Sequence, residues 1–204
     1  MRRGHAGGFA ATRGRGAWRF LGLAAFALLL GAGCGGGNAG PSAWRRDAAT
    51  AVARLESGRY AGADRAAARA LRRAEDALDA DDPALAEALF LRAATQAAMG
   101  RYAEAEPLTR RALAIREAAF GAEHPATGAS LTALAALLEH QGRYAEAEPL
   151  LKRSLSIYER ALGPGDHRTA RAVYELADLY RAADRPQDAE RLEIRAMLLR
   201  SLVR

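Results

Sequence analysis

Apolar positions along most of this chain follow the spacing of a helix face. Leu131, Leu134, Ala135 and Leu138 stand at i, i+3, i+4 and i+7, and Val173, Leu176, Ala177 and Tyr180 repeat the pattern. A second set runs Tyr144, Ala147, Leu150, Leu151, Leu155 and Tyr158, echoed by Tyr102, Ala105, Leu108, Ala112 and Leu113. Each set predicts a helix with one buried stripe. No stretch alternates with the period of two that a half-buried strand requires, so the pattern predicts an all-α chain.

Between the two kinds of helix lies a short segment that recurs. Gly58-Arg59-Tyr60-Ala61-Gly62-Ala63-Asp64 returns as Gly100-Arg101-Tyr102-Ala103-Glu104-Ala105-Glu106 and as Gly142-Arg143-Tyr144-Ala145-Glu146-Ala147-Glu148. A degenerate fourth copy is Asp184-Arg185-Pro186-Gln187-Asp188-Ala189-Glu190, and all four are 42 residues apart. The unit is therefore a helix hairpin that turns at Gly-Arg-Tyr, repeated four times over residues 43–82, 83–124, 125–166 and 167–204. Gly121-Ala122-Glu123-His124-Pro125 and Gly163-Pro164-Gly165-Asp166-His167 supply the glycine and proline that end one unit and start the next. Pro107 and Pro149 fall inside second helices, where each removes a backbone hydrogen bond and is expected to bend the helix.

These residues resemble the tetratricopeptide repeat, in the longer form found in kinesin light chains. The likeness is strongest from Pro83 to Leu162, where the small positions of the family fall on Ala93, Ala105, Ala112, Ala135 and Ala147. It implies a right-handed superhelical solenoid of about four antiparallel hairpins, with first helices lining a concave side. It also implies a binding groove for a protein or peptide segment, at Glu87, Phe90, Thr132, Glu139, Arg171, Tyr174, Asp178 and Arg181. Phe90, Thr132 and Tyr174 share one register position, which in kinesin light chain repeats is often an asparagine that clamps a peptide backbone. The only asparagine here is Asn38, so the clamp does not carry over and the groove is more apolar and of mixed charge. The alternative for Phe90 and Tyr174 is packing between neighbouring hairpins.

At the ends the repeat departs from its own pattern. The helix from Trp44 to Ser57 places Asp47 and Thr50 where later copies place leucines, as expected of a polar N-terminal cap. The last helix carries Leu192, Ile194, Met197, Leu198, Leu199, Leu202 and Val203, more apolar surface than one partner helix covers, which points to a homodimer or to docking on a partner.

Composition changes the picture at the N-terminus. The 204 residues hold 30 basic and 24 acidic side chains, a net charge of +6. Five of those bases, Arg2, Arg3, Arg13, Arg15 and Arg19, lie in residues 1–33 with no acid among them, so 25 bases face 24 acids in the remainder. The excess belongs to a leader, and nucleic-acid binding by the repeat domain is excluded on this ground. An apolar run from Phe20 to Leu30 follows, then Gly31-Ala32-Gly33-Cys34, the three-part plan of a signal peptide over 1–33. Leu30-Gly31-Ala32-Gly33-Cys34 resembles the lipobox of bacterial lipoproteins, although the large aliphatic residue sits four places before the cysteine and the family places it three before. The resemblance implies a lipid on Cys34 and a flexible Gly-rich tether over 34–42, on the extracytoplasmic (periplasmic) side of the envelope. An ordinary secretory signal and an uncleaved inner-membrane anchor are the alternatives.

Catalytic chemistry finds little support. His124 and His167 are expected in equivalent inter-repeat loops and His140 near a helix end, with no activated Ser or Cys beside them. Asp79, Asp81 and Asp82 lack the glycine turn and terminal glutamate of a calcium loop. The single cysteine excludes a disulfide and a thiolate zinc cluster, and no cofactor or metal is expected. Pairs such as Arg72-Arg73 and Arg110-Arg111 alternate with acids and read as solvated outer faces. The sequence predicts a non-enzymatic scaffold tethered to a membrane, with a structural subunit of an envelope assembly (secretion, pilus or outer-membrane machinery) as the alternative.

Overall fold

A computed structural model describes residues 43–201, with side chains for residues 43–198. The leader, Cys34 and the tether, together with Leu199, Leu202 and Val203 as side chains, lie outside the described residues. Among the described residues there are eight α-helices and no strand. They are α1 (Ala43–Glu56), α2 (Tyr60–Ala77), α3 (Pro83–Ala98), α4 (Tyr102–Phe120), α5 (Pro125–His140), α6 (Tyr144–Leu162), α7 (His167–Ala182) and α8 (Pro186–Ser201). Each odd-numbered helix pairs with the next to make a hairpin.

The hairpin turn is one device used four times. Gly58, Gly100 and Gly142 adopt φ of 71°, 77° and 75°, and Asp184 takes φ 59° at the fourth copy. The following arginine N–H then donates back to the last turn of the first helix: Arg59 to Arg54, Arg101 to Gln96, Arg143 to Leu138 and Arg185 to Tyr180, at 2.8–2.9 Å. This is a Schellman closure, which satisfies carbonyls that a helix end otherwise leaves open. The left-handed conformation explains the recurring glycine, and aspartate is among the few other residues that tolerate it.

Unit starts are capped with the same regularity. Asp82, His124 and Asp166, 42 residues apart, each accept a backbone N–H two residues on, at 2.7, 3.1 and 2.8 Å. His124 thus matches Asp166 in register and is not the equivalent of His167, which begins α7. The two histidines do not recur as a pair. Helices α4 and α6 continue as α-helix through Pro107 and Pro149.

Packing rests on small side chains. Ala93, Ala105, Ala112, Ala135 and Ala147 are all buried, as the family pattern implied. Helix α5 is enclosed on nearly every side, with Leu131, Leu134, Leu137 and Leu138 fully buried alongside Ala133 and Ala135. Gly128 in the same helix faces the Tyr158 ring so closely that a Cβ would stand 3.2 Å from two ring carbons. Second helices bridge units, α2 packing on α3, α4 on α5 and α6 on α7, and first helices meet one another, α1 on α3 and α5 on α7. First helices therefore form one continuous layer. Asp47 stands at the position of buried Leu89, Leu131 and Val173, whereas Thr50 corresponds to Arg92 in the second unit and to buried Leu134 and Leu176 in the third and fourth; Asp47 is held by Arg69 and Arg73 at 3.1 and 2.6 Å.

Two ladders of ion pairs cross the unit boundaries with the period of the repeat. In the first, the turn arginine of one unit reaches the last acid of the preceding motif: Arg101 to Asp64 at 3.8 Å, Arg143 to Glu106 at 2.7 Å and Arg185 to Glu148 at 2.8 Å. Each of these arginines also pairs within its own motif, with Glu104, Glu146 or Asp188. In the second, successive second helices are joined by Arg111 to Glu75 at 2.5 Å, Arg153 to Glu117 at 2.7 Å and Arg195 to Glu159 at 2.5 Å. Arg111 is therefore a bridging residue and not part of a merely solvated face, and its neighbour Arg110 pairs with Glu106 at 2.7 Å. Arg73 likewise closes on Asp47.

Replacing Ala135 by Leu is expected to overpack the α5–α6 contact and cost about 1–3 kcal/mol, read as a lower denaturation midpoint in urea. A second test uses the first ladder. Partial burial pushes Glu106 up, but hydrogen bonds from Arg110 and Gln141 and the charges of Arg110 and Arg143 hold it below its ordinary value of 4.5. The Lys152 hydrogen bond, opposed by burial and helped by Tyr180 and Arg185, does the same for Glu148. A depressed folded pKa contributes stability that is present above the unfolded value and lost as pH falls through the folded one. Glu106→Gln with Glu148→Gln should therefore melt roughly 2–4 °C below the parent at pH 7, the gap expected from exposed pairs worth together about 1 kcal/mol. The gap should close as the pH is taken progressively below 4.5.

Candidate functional site

The layer of first helices is where the sequence places a groove, and its residues divide into two groups. Phe90 and Thr132 are each only 4% exposed and offer no contact surface to a partner. Phe90 packs with Ala133 of α5 between the second and third hairpins, beside a small cavity that Leu137 of α5 also lines. The Arg116 guanidinium lies 5.2 Å from the ring centroid. Packing between hairpins, the alternative for Phe90, is the arrangement found. Thr132 shares a hydrogen bond of 2.8 Å with Ser154, whose hydroxyl donates to the Gly128 carbonyl at 2.9 Å. That small network satisfies both hydroxyls inside the α5–α6 contact.

The second group keeps partial access. Glu87 is half-buried on α3, and burial raises its pKa against the lowering charges of Arg45 and Arg116. Glu139 is half-buried in the last turn of α5. On α7 the four remaining residues come together over three turns. Arg171 pairs with Glu175 at 2.8 Å, and Arg181 pairs with Asp178 at 2.8 Å and reaches Glu193 of α8. Tyr174 is half-buried among them, its ring packed against the core shared by the third and fourth hairpins. The i, i+3, i+4 and i+7 spacing of Arg171, Tyr174, Glu175 and Asp178 puts an aromatic between charges of both signs on one helix face.

Sequence reasoning missed a buried cation. Arg116 is almost fully enclosed, donates to Ser130 Oγ at 2.9 Å, and stacks on Phe90. Burial lowers its pKa, and the charges of Glu87 and Tyr158 oppose that shift. Its register mates are Ala74, Tyr158 and Arg200, so the position varies along the repeat and periodicity alone gave no sign that this arginine is buried. Tyr158 itself is pushed up to about 12, mainly by burial, with the Glu175 charge adding to it.

The histidines serve structure. His124 caps α5, and His140 contacts the Ala136 carbonyl at 2.8 Å and leans on the Tyr102 ring at 4.6 Å. Among the described residues no group of three His, Cys, Asp or Glu side chains is placed to hold a metal ion, and no helix is long and apolar enough to cross a membrane.

Solved structures share this architecture. A Podosopora anserina kinesin light chain-type protein with nearly identical TPR-like repeats superposes with a TM-score of 0.70 at 20% identity, covering 95% of each chain. BtubC (BKLC) from P. vanneervenii superposes with a TM-score of 0.69 at 21% identity, covering 95% of this chain and 76% of the other. At such identities the likeness concerns the fold. None of the curated proteins matches the chain. The tetratricopeptide repeat model, however, matches in three overlapping placements, residues 48–118, 92–159 and 127–197. With hairpin pairs, turn motif and small-residue packing all repeating through that span, the chain belongs to the tetratricopeptide repeat family.

Proposed function

We propose that this protein is a non-enzymatic scaffold, held on the extracytoplasmic side of a membrane by a lipid on Cys34, that takes a partner protein segment along its layer of first helices. The observation that carries the reading is Tyr174. It is the half-buried aromatic of the first-helix layer in the fourth unit, and it is flanked by Arg171, Glu175, Asp178 and Arg181. An aromatic anchor within a polar rim is the composition that dominates energies at protein interfaces. Because the rim carries both signs of charge, the partner segment it suits is amphipathic, with an apolar side chain on Tyr174 and charged neighbours on either side. Family membership supports a protein-binding role in general; the anchor and the position of the groove rest on the residues named.

The tether follows from the leader. The Gly-rich composition from Gly35 to Ser42 is what suggests a tether, and eight residues of a random chain span about 15 Å, a length that would keep the repeat domain next to the bilayer.

Two measurements on the full chain in its native membranes test the reading. Tyr174→Ala should abolish cross-links between α7 and a partner, identified by mass spectrometry, while the melting temperature changes by no more than a few degrees. Phe90→Ala is the contrast, expected to cost about 3–5 kcal/mol as a core truncation. Cross-links that survive in Tyr174→Ala would remove Tyr174 from the groove. Incorporation of a clickable palmitate analogue should be lost in Cys34→Ala, and retained labelling would remove the lipid anchor.

A further inference from the structure

The turn arginine of each hairpin is preceded, two residues earlier, by one register position that holds Ser57, Met99, Gln141 and Ala183 in turn. In the first unit Arg59 donates to Ser57 Oγ at 2.9 Å, and in the third Arg143 donates to Gln141 Oε1 at 3.5 Å. In the second unit Arg101 donates to Met99 Sδ at 3.4 Å. The fourth unit has alanine there, and Arg185 instead lies 4.3 Å from the Tyr180 ring centroid. A position that offers an oxygen acceptor in the first and third units thus offers a thioether in the second, and a thioether sulfur is a weak acceptor.

Packing does not explain the methionine. Met99 is half-buried at the C-terminal end of α3 and joins none of the core clusters. The rest of its surroundings leave Arg101 short of acceptors. Asp64 is one methylene shorter than Glu106 and Glu148 at the same register, and Arg92 already bonds its carboxylate. Arg101 accordingly stands 3.8 Å from Asp64, where Arg143 and Arg185 reach their acids at 2.7 and 2.8 Å, and it stands 3.7 Å from Glu104. Neither separation is a hydrogen bond. Among the described residues, the sulfur is the one hydrogen-bond acceptor of the Arg101 guanidinium.

We propose that Met99 is a site of reversible oxidation by peroxide, and that its sulfoxide oxygen supplies Arg101 with the acceptor that Ser57 and Gln141 supply in the neighbouring units. A sulfur lone pair attacks one oxygen of hydrogen peroxide, the O–O bond breaks, and the other oxygen leaves as water with both protons. Sulfur loses two electrons and the peroxide gains them. Two thiols of a reductant reverse the step, giving the thioether, water and a disulfide. Methionine oxidation ordinarily damages a protein because it puts a polar group into a core. Here the polar group arrives where the repeat already uses one, beside a cation without an oxygen acceptor, and a charge-assisted hydrogen bond replaces a weak one. The modification therefore tightens the turn between α3 and α4.

The test treats the purified full chain with hydrogen peroxide and follows Met99 by peptide mass mapping, with exposed Met197 as the internal reference. Met99 is expected to gain one oxygen and the melting temperature to rise by about 2 °C, the shift that a bond of this kind gives in a chain of this size. Treatment with a methionine sulfoxide reductase and dithiothreitol should return it to the starting value. Met99→Gln, which installs the acceptor of the third unit, should show the same rise without peroxide. Met99→Leu, treated identically, corrects for oxidation of Met1, Cys34 and Met197 and should show no rise. Adding Arg101→Leu to Met99→Gln should abolish the gain. A Met99 that stays unoxidised while Met197 is fully converted overturns the site. A melting temperature that falls or stays put on oxidation of Met99, or a gain that survives Arg101→Leu, overturns the bond.

Discussion

Close approach of helices over alanine is the constraint on which the rest of this molecule depends. Ala93, Ala105, Ala112, Ala135 and Ala147 are buried contact positions, and side chains this small are what permit packed helices to approach within the usual range of roughly 8–10 Å. That proximity leaves no room for adjustment, as Gly128 under the Tyr158 ring illustrates. It also explains why a chain with few aromatics can bury a continuous core. Alanine contributes little apolar area per residue, so stability must come from many contacts repeated along a stack, each unit covering the face its neighbour exposes.

Polar interactions then fix how units sit on one another. The two ladders, one through the turn arginines and one between successive second helices, connect residues 36 and 37 positions apart. Exposed pairs of this kind contribute little each, about 0.2–1 kcal/mol, against the much larger apolar burial. Their consequence is geometric. A unit rotated out of phase would lose rungs of both ladders at once, while the smooth alanine surface alone would penalise a small rotation less. The ladders also account for the near balance of charge in the repeat domain, since many of its acids and arginines pair with each other.

What the sequence made legible was whatever is local or periodic. Helix stripes, the Gly-Arg-Tyr turn and the small-residue positions each depend on residues within one unit, and the structure places them as the pattern indicates. Interactions between units were harder to read, although Glu75, Glu117 and Glu159 recur at the same interval as Arg111, Arg153 and Arg195. Periodicity shows that both sets exist; only the stacking geometry shows that they meet. The burial of Phe90 and Thr132, at the register position where Tyr174 keeps access, has a related cause. Register equivalence with Tyr174 fixes where a side chain leaves its helix, but exposure depends on what the adjoining unit offers. Opposite Phe90 lies Ala133, and the ring sinks into the gap. His124 and His167 do lie at the same inter-repeat junction, but the capping position itself is one residue earlier in the later unit, where His124 corresponds to Asp82 and Asp166.

In a molecule this regular, the departures from the repeat carry the information about function, and they fall into two sets. Those in the second and third units turn inward. Arg116 stacks on Phe90 of its own unit and donates to Ser130 of the next, while Thr132 and Ser154 bond to each other within the third. The Arg116–Ser130 bond ties the two units together, because the buried guanidinium loses that partner if they shift. The departures in the fourth unit turn outward. Tyr174 keeps partial access among paired charges, and Ile194 and Leu198 replace outward polar or small positions with exposed hydrocarbon. A charge-satisfied first unit, a bonded centre and a fourth unit with a partly accessible aromatic and exposed hydrocarbon make the stack asymmetric, with the outward departures gathered in the fourth unit.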